Sequence, residues 1–223
     1  MVRSTTPSRP PLLSPCQIAL ALLIVVTCAI EIFLTAADLG LIATPYLRYK
    51  VYTYTAFFAP ILHGARANYD LQPLTMFVTY AFVHGGWLHL LVNMLTLGSV
   101  GPGICKQVGP LRFLMAYLLT AIGGAACYGL LATDATPMVG ASGALFGLIG
   151  IWICWGYQER RHYGEGMREI YRAVGILVAY NAVFFVLLSG HLAWQTHLGG
   201  FVAGWLIGLW WGRPIYRRQR RSA

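Results

Sequence analysis

The chain has 223 residues, 57% of them hydrophobic and only 10% charged, where a soluble domain carries about a quarter charged residues. That composition argues against a water-soluble globular protein. Several segments of 17 or more residues contain no Asp, Glu, Lys or Arg, enough to cross a hydrocarbon core of roughly 30 Å as a helix, so an all-α, polytopic membrane protein is expected.

Apolar runs bounded by charges or turn residues predict six spans, 17–41, 81–104, 113–131, 141–157, 173–189 and 195–212. The first could be a signal peptide, since Arg3 and Arg9 precede it; its length of about 25 residues favours a retained anchor. Residues 1–16 read as a cytoplasmic tail, 17–212 as one membrane domain and 213–223 as a basic cytoplasmic tail. The loop 42–80 is rich in aromatics, among them Tyr46, Tyr49, Tyr52, Tyr54, Phe57 and Phe58, and is expected to lie partly in the outer interface.

A net charge of +9 would suggest nucleic acid in a soluble protein, but the placement of the charges says otherwise. With the N-terminus inside, the cytoplasmic segments hold Arg3, Arg9, Lys106, Arg112, Arg160, Arg161, Arg168, Arg172 and tail arginines 213, 217, 218, 220 and 221, leaving Arg48, Lys50 and Arg66 outside. This asymmetry follows the positive-inside rule and puts both termini in the cytoplasm, near anionic lipid. No nucleic-acid partner is expected. The five cysteines (Cys16, Cys28, Cys105, Cys127, Cys154) lack metal-ligand spacing and read as small apolar fillers.

Polar groups inside spans are costly and mark function. His89 and Asn93 are four apart in span two and share one helix face. Ser142 sits where an outward loop becomes span four, and His197 near the outer start of span six. Topology alone puts all four in the outer half of the bilayer. A serine beside a histidine makes a nucleophile and base pair, because the imidazole accepts the hydroxyl proton during attack. Asn93, His89 and the backbone N–H groups at Ser142 and Gly143 supply donors for a developing oxyanion.

Spans two to six contain no Asp or Glu, so a Ser-His dyad is expected rather than a triad unless Glu31 reaches the site. Gly143, Gly147 and Gly150 on span four, with Gly200, Gly204 and Gly208 on span six, form small-residue stripes that predict close face-to-face packing. Blander readings stay open: a serine beside glycine is often a packing residue, His89 and Asn93 could cross-link helices, Asn181 reads as helix glue, and Glu31 as an interfacial or span-end acid.

Three motifs in order resemble the rhomboid family of intramembrane serine proteases: Gly140-Ala141-Ser142-Gly143, continuing Ala144-Leu145-Phe146-Gly147; His84 to Asn93 with its His89-x-x-x-Asn93; and His197-Leu198-Gly199-Gly200-Phe201-Val202-Ala203-Gly204. The resemblance covers about residues 75 to 212. It implies a six-transmembrane-helix bundle with a cavity opening outward, needing no metal or other cofactor. In it Ser142 would be the nucleophile and His197 the base; His89, Asn93 and the Ser142 N–H would bind the oxyanion; and Phe146 would pack on the His197 ring.

The expected substrates are transmembrane proteins and the expected setting a bacterial plasma membrane, with no oligomeric state implied. Cys105 stands where many members have Glu, and the Trp-Arg pair common in the family's first outer loop is not evident. Two rival readings are a non-proteolytic rhomboid-like protein that binds membrane clients, and a small transporter with His89, Asn93 and Asn181 lining its path.

Overall fold

The computed structural model describes residues 13–42, 44–132 and 135–212. The arginines of both predicted tails, Arg3, Arg9, Arg213, Arg217, Arg218, Arg220 and Arg221, lie outside them.

Eight α-helices make up most of the described chain: α1 (Pro15–Asp38), α2 (Leu47–Thr55), α3 (Gln72–Thr79), α4 (Trp87–Val108), α5 (Pro110–Leu131), α6 (Ser142–Tyr163), α7 (Arg168–Leu187) and α8 (Trp194–Trp211). Six of them, α1 and α4 to α8, correspond to the predicted spans, with shifted ends. The start of α1 is fixed by a capping box, in which the Gln17 N–H donates to Ser14 Oγ and the Ser14 N–H to Gln17 Oε1, with Pro15 in the first turn. Span two begins at Trp87 rather than Ala81, because 80–82 close a 3-10 turn and Gly86 takes φ 107°. That conformation suits glycine. At its other end, α6 runs six residues past the predicted Tyr157 to Tyr163, then stops at Gly164 in the left-handed conformation.

Four helices, α1, α4, α5 and α7, are long and apolar enough to cross a membrane on composition alone. The other two spans, α6 and α8, are diluted by glycine, serine, threonine and histidine. α6 packs mainly against the rest of the protein: it buries half of its length, and α5, α6 and α8 form the most closely packed trio. A Cβ at Gly200 would collide with the Gly143 carbonyl oxygen, and one at Gly204 with the Gly147 carbonyl oxygen. The two glycine stripes therefore meet backbone to backbone, as their spacing predicts.

The segment 42–80, expected at the outer interface, is folded, with α2, a 3-10 turn at Ala59–His63 and α3. Tyr46, Tyr49 and Tyr54 are exposed, as an interfacial loop would have them, but Phe57 and Tyr80 are completely buried. Phe57 exchanges two backbone hydrogen bonds of 2.9 Å with Met138, in the segment leading to Ser142.

Two cysteines correct the reading of all five as apolar fillers. Cys16 and Cys105 form a disulfide between the start of α1 and the end of α4, with Cα atoms 5.7 Å apart, well within bonding geometry. Cys105 thus fastens this helix end by a covalent bond. Glu31 does not stand at the end of α1, which Asp38 closes. It is buried within α1 and bound by Arg48 of α2 at 2.9 Å, while Arg48 Nε reaches Asp38 at 2.6 Å. Burial opposes the guanidinium charge, but hydrogen bonds to Glu31, Tyr52 and Asp38 hold the Arg48 pKa above its usual value.

Candidate active site

Ser142 stands at the first position of α6, so the N–H groups of that first turn have no helical carbonyl to bond. The segment leading to it is pinned residue by residue. Met138 pairs with Phe57, the Gly140 N–H donates to the Tyr80 carbonyl at 2.9 Å, and the Ala141 N–H donates to His84 Nε2 at 3.4 Å. Gly140 adopts φ 119°, and a Cβ there would press on the His89 ring at 2.6 Å. Glycine is required both for the turn and for the imidazole beside it.

His84 is a scaffold histidine. Burial, with His89 alongside, pushes its pKa down to about 3, so it is neutral and its Nε2 can accept from Ala141. Its backbone carbonyl accepts from Tyr52 Oη at 2.6 Å and from Arg48 at 3.3 Å. The buried Glu31–Arg48 pair thereby reaches the segment that begins α4 and carries His89.

His197 lies in the first turn of α8 and is buried, 5% exposed. Its Nε2 is 2.8 Å from Ser142 Oγ. The Phe146 ring, one turn after Ser142, stacks on the imidazole with centroids 4.1 Å apart and planes within 3°. On the far side, Nδ1 lies 2.6 Å from Asn181 Oδ1 of α7. Glu31 is engaged by Arg48, and among the described residues no carboxylate bonds the imidazole.

His89 accepts the Gly85 N–H at Nδ1, 3.3 Å away. A neutral imidazole that accepts at Nδ1 carries its proton on Nε2, which leaves that N–H free to donate. Asn93, one turn on and buried, donates one amide hydrogen to the His89 carbonyl at 3.0 Å and keeps the other. Both line the same cavity of about 770 Å³ as Ser142, Phe146 and His197. Its walls come from α4 (Leu88, Val92), α6 and α7 (Leu177, Tyr180, Phe184). Among the described residues no three His, Cys, Asp or Glu side chains cluster so as to hold a metal ion.

The sequence profile of the Rhomboid domain matches residues 72–214, well over half of the chain and every residue of this cavity. The chain belongs to the rhomboid family.

Similar rhomboids come from distant organisms. RHOMBOID-like protein 5 of Arabidopsis thaliana is 30% identical over 132 residues, 59% of this chain and 42% of that protein. Rhomboid-type serine protease 2 of Emericella nidulans is 30% identical over 136 residues, 60% of this chain and 26% of its own length. The putative rhomboid protease YdcA of Bacillus subtilis is 29% identical over 149 residues, 65% of this chain and 69% of its own length. The chain spans less than half the length of the Arabidopsis and Emericella relatives.

The structure of this rhomboid brings together Ser142, His197, His89, Asn93 and Phe146 around one cavity. Gly140 lies against the His89 ring, and Gly143, Gly200 and Gly204 lie in the contact between α6 and α8. Two side chains outside the expected set also belong to the site's surroundings. Asn181, which reads as helix glue in the sequence, bonds the catalytic candidate His197, and His84 holds the residue before the serine. His84 opens the same motif as His89, five residues ahead of it, and the two rings meet edge to face with centroids 5.0 Å apart. The spacing to Asn93 singles out His89 of the two, and the fold places His89, not His84, on the cavity wall.

Proposed function

We propose that this rhomboid is an intramembrane serine endopeptidase that cuts transmembrane protein substrates near the outer membrane boundary through Ser142 and His197. One observation carries the reading: the Ser142 Oγ to His197 Nε2 distance of 2.8 Å at the wall of a 770 Å³ cavity that His89 and Asn93 also line.

Ser142 Oγ attacks the scissile carbonyl carbon while its proton passes to His197 Nε2. The oxyanion takes hydrogen bonds from His89 Nε2–H, the free Asn93 N–H and the Ser142 backbone N–H, each donor being preorganised by its own contacts. Collapse breaks the C–N bond as His197 returns the proton to the leaving amine. Water then attacks the Ser142 ester, giving its proton to His197, and the acid product leaves with the serine regenerated. The cavity supplies the space in which water reaches the ester.

A helical substrate hides its peptide bonds, so it must unwind to present an extended segment; helix-weakening or small residues near the cut favour this. The positive-inside distribution supports an arrangement with both termini cytoplasmic and the cavity facing outward. The chemistry needs no cofactor.

The test uses the purified protein in liposomes with a fluorescent transmembrane substrate and a serine-directed phosphonate probe. Cleavage and labelling are expected, with both abolished in Ser142→Ala and cleavage abolished in His197→Ala. Cleavage that survives both substitutions would overturn the mechanism, and a protein that binds the substrate but neither cleaves it nor labels would be a client-binding relative instead.

A further inference from the structure

We infer that Asn181 is a positioning residue that selects the tautomer and the ring orientation in which His197 can act as a base. The inference rests on the protease reading for its effect on rate, but the tautomer itself does not depend on that reading.

The orientation of the amide is fixed first. Asn181 Nδ2 donates to the Leu177 carbonyl one turn back at 2.9 Å. Only the amide nitrogen can donate to a carbonyl, so Oδ1 is turned the other way, onto His197 Nδ1 at 2.6 Å. An amide oxygen can only accept. Nδ1 must therefore carry the proton, and Nε2 holds the lone pair that faces Ser142 Oγ at 2.8 Å.

Packing alone does not achieve this. The Phe146 stack at 4.1 Å and 3° fixes the plane of the imidazole, but a ring turned over by half a rotation remains stacked. Nor does the serine decide the matter, because a hydroxyl donates or accepts equally well. With no acceptor at Nδ1, the proton can reside on Nε2 and point at Ser142 Oγ, which preserves the 2.8 Å contact and disables the base. A neutral acceptor thus performs the orienting part of the carboxylate's role in a serine protease triad, without its charge.

The placement of Asn181 adds a consequence. It lies on the same side of α7 as Leu177, Tyr180 and Phe184, which line the cavity, yet no residue of α7 is fully buried. The acceptor rides on the least buried span, so the competent tautomer depends on where α7 stands.

The experiment compares the full-length protein with Asn181→Leu, which keeps the volume and loses the acceptor, and Asn181→Asp, which restores an acceptor and adds charge. Nitrogen-15 NMR of histidine-labelled protein in nanodiscs should show His197 protonated at Nδ1 in the parent, and a loss of that signal in Asn181→Leu. In the liposome assay Asn181→Leu should lower kcat about tenfold or more, the order expected for one orienting hydrogen bond, with KM and apparent Tm unchanged. Asn181→Asp should recover activity at alkaline pH and move the acid limb of the rate profile upward, since a carboxylate beside the ring favours imidazolium. The other titratable side chains around the cavity are His89 of α4, Tyr128 of α5, Tyr180 of α7 and His191 ahead of α8, and they are the same in all variants.

An Nε2–H tautomer in the parent, or a kcat for Asn181→Leu equal to the parent's, would overturn the inference. Cleavage that persists in Ser142→Ala would overturn the protease reading instead, leaving the NMR result to decide this one.

Discussion

The glycine contact between α6 and α8 makes a prediction whose size follows from the geometry. In Gly200→Ala the new Cβ would fall on the Gly143 carbonyl oxygen, well inside the 3.0 Å that real Cβ contacts essentially never breach. The atoms met are the backbone of Gly143, next to Ser142, so no flexible side chain can yield. Relief of the overlap requires the helices to part by about an ångström. His197 is one turn before Gly200 and Ser142 one residue before Gly143, so the separation is passed almost undiminished to their 2.8 Å hydrogen bond. It stretches to roughly 3.8 Å, beyond hydrogen-bonding range.

Misplacement on that scale costs about 100-fold in rate. The overpacking itself costs on the order of 3 kcal/mol, the upper end of the usual range because backbone meets backbone. For a chain of this size that lowers Tm by roughly 6–12 °C. The assay is cleavage in liposomes beside a thermal melt, with Gly98→Ala as the reference. Gly98 is exposed on α4 with nothing within 4 Å of a built Cβ, and alanine there should be neutral or slightly stabilising. If Gly200→Ala melts and cleaves as Gly98→Ala does, the close apposition of α6 and α8 is wrong.

Three further outcomes follow from other contacts. Asn93→Ala removes the buried side chain proposed as an oxyanion donor and should lower kcat about 10²-fold with KM little changed; a rise in KM with kcat intact would make Asn93 a substrate-binding residue instead. Reduction of the Cys16–Cys105 disulfide, whose cysteines are 89 residues apart in sequence, should cost about 2–4 kcal/mol of stability. Alkylation of both thiols in the native, unreduced protein would show that the bond is absent. Arg48→Ala strands Glu31, which is 1% exposed, and should destabilise by about 2–3 kcal/mol, less than a fully buried pair because Arg48 is 22% exposed. The double variant Glu31→Leu, Arg48→Met should recover most of that loss, measured by thermal melts of all three proteins.

Much of this is legible from one sequence because membrane insertion exposes its own logic. Charges must avoid the hydrocarbon, so their gaps mark spans, and polar groups that remain inside, such as His89, Asn93, Ser142 and His197, announce themselves by their cost. The helix ends are less legible. Trp87 rather than Ala81 starts α4 because of a left-handed Gly86, and that conformation leaves no trace in hydropathy. The Cys16–Cys105 pairing is invisible in the sequence because the two residues are joined by a contact between α1 and α4 that no local pattern encodes. Asn181 can be seen as a polar residue in a span but not as a partner of His197, since the helical phase of α7 relative to α8 is set by packing rather than spacing.

The segment between α1 and α4 also has a structural reason to be more than a membrane-surface loop. Ser142 must sit at a helix start to expose its N–H groups, and a helix start is where a chain frays. The residues before it are therefore held from outside the helix: Met138 by Phe57, Gly140 by the Tyr80 carbonyl and Ala141 by His84. All three partners, Phe57, Tyr80 and His84, belong to the segment between α1 and α4. His84 is in turn gripped through its carbonyl by Tyr52 and by Arg48, which Glu31 anchors to α1. An ion pair reaching from α1 is thus connected through a short chain of contacts to Ser142. A single ion pair does little for stability compared with apolar packing; what the contacts show is that this one ties the segment ahead of Ser142 to α1 through the His84 carbonyl.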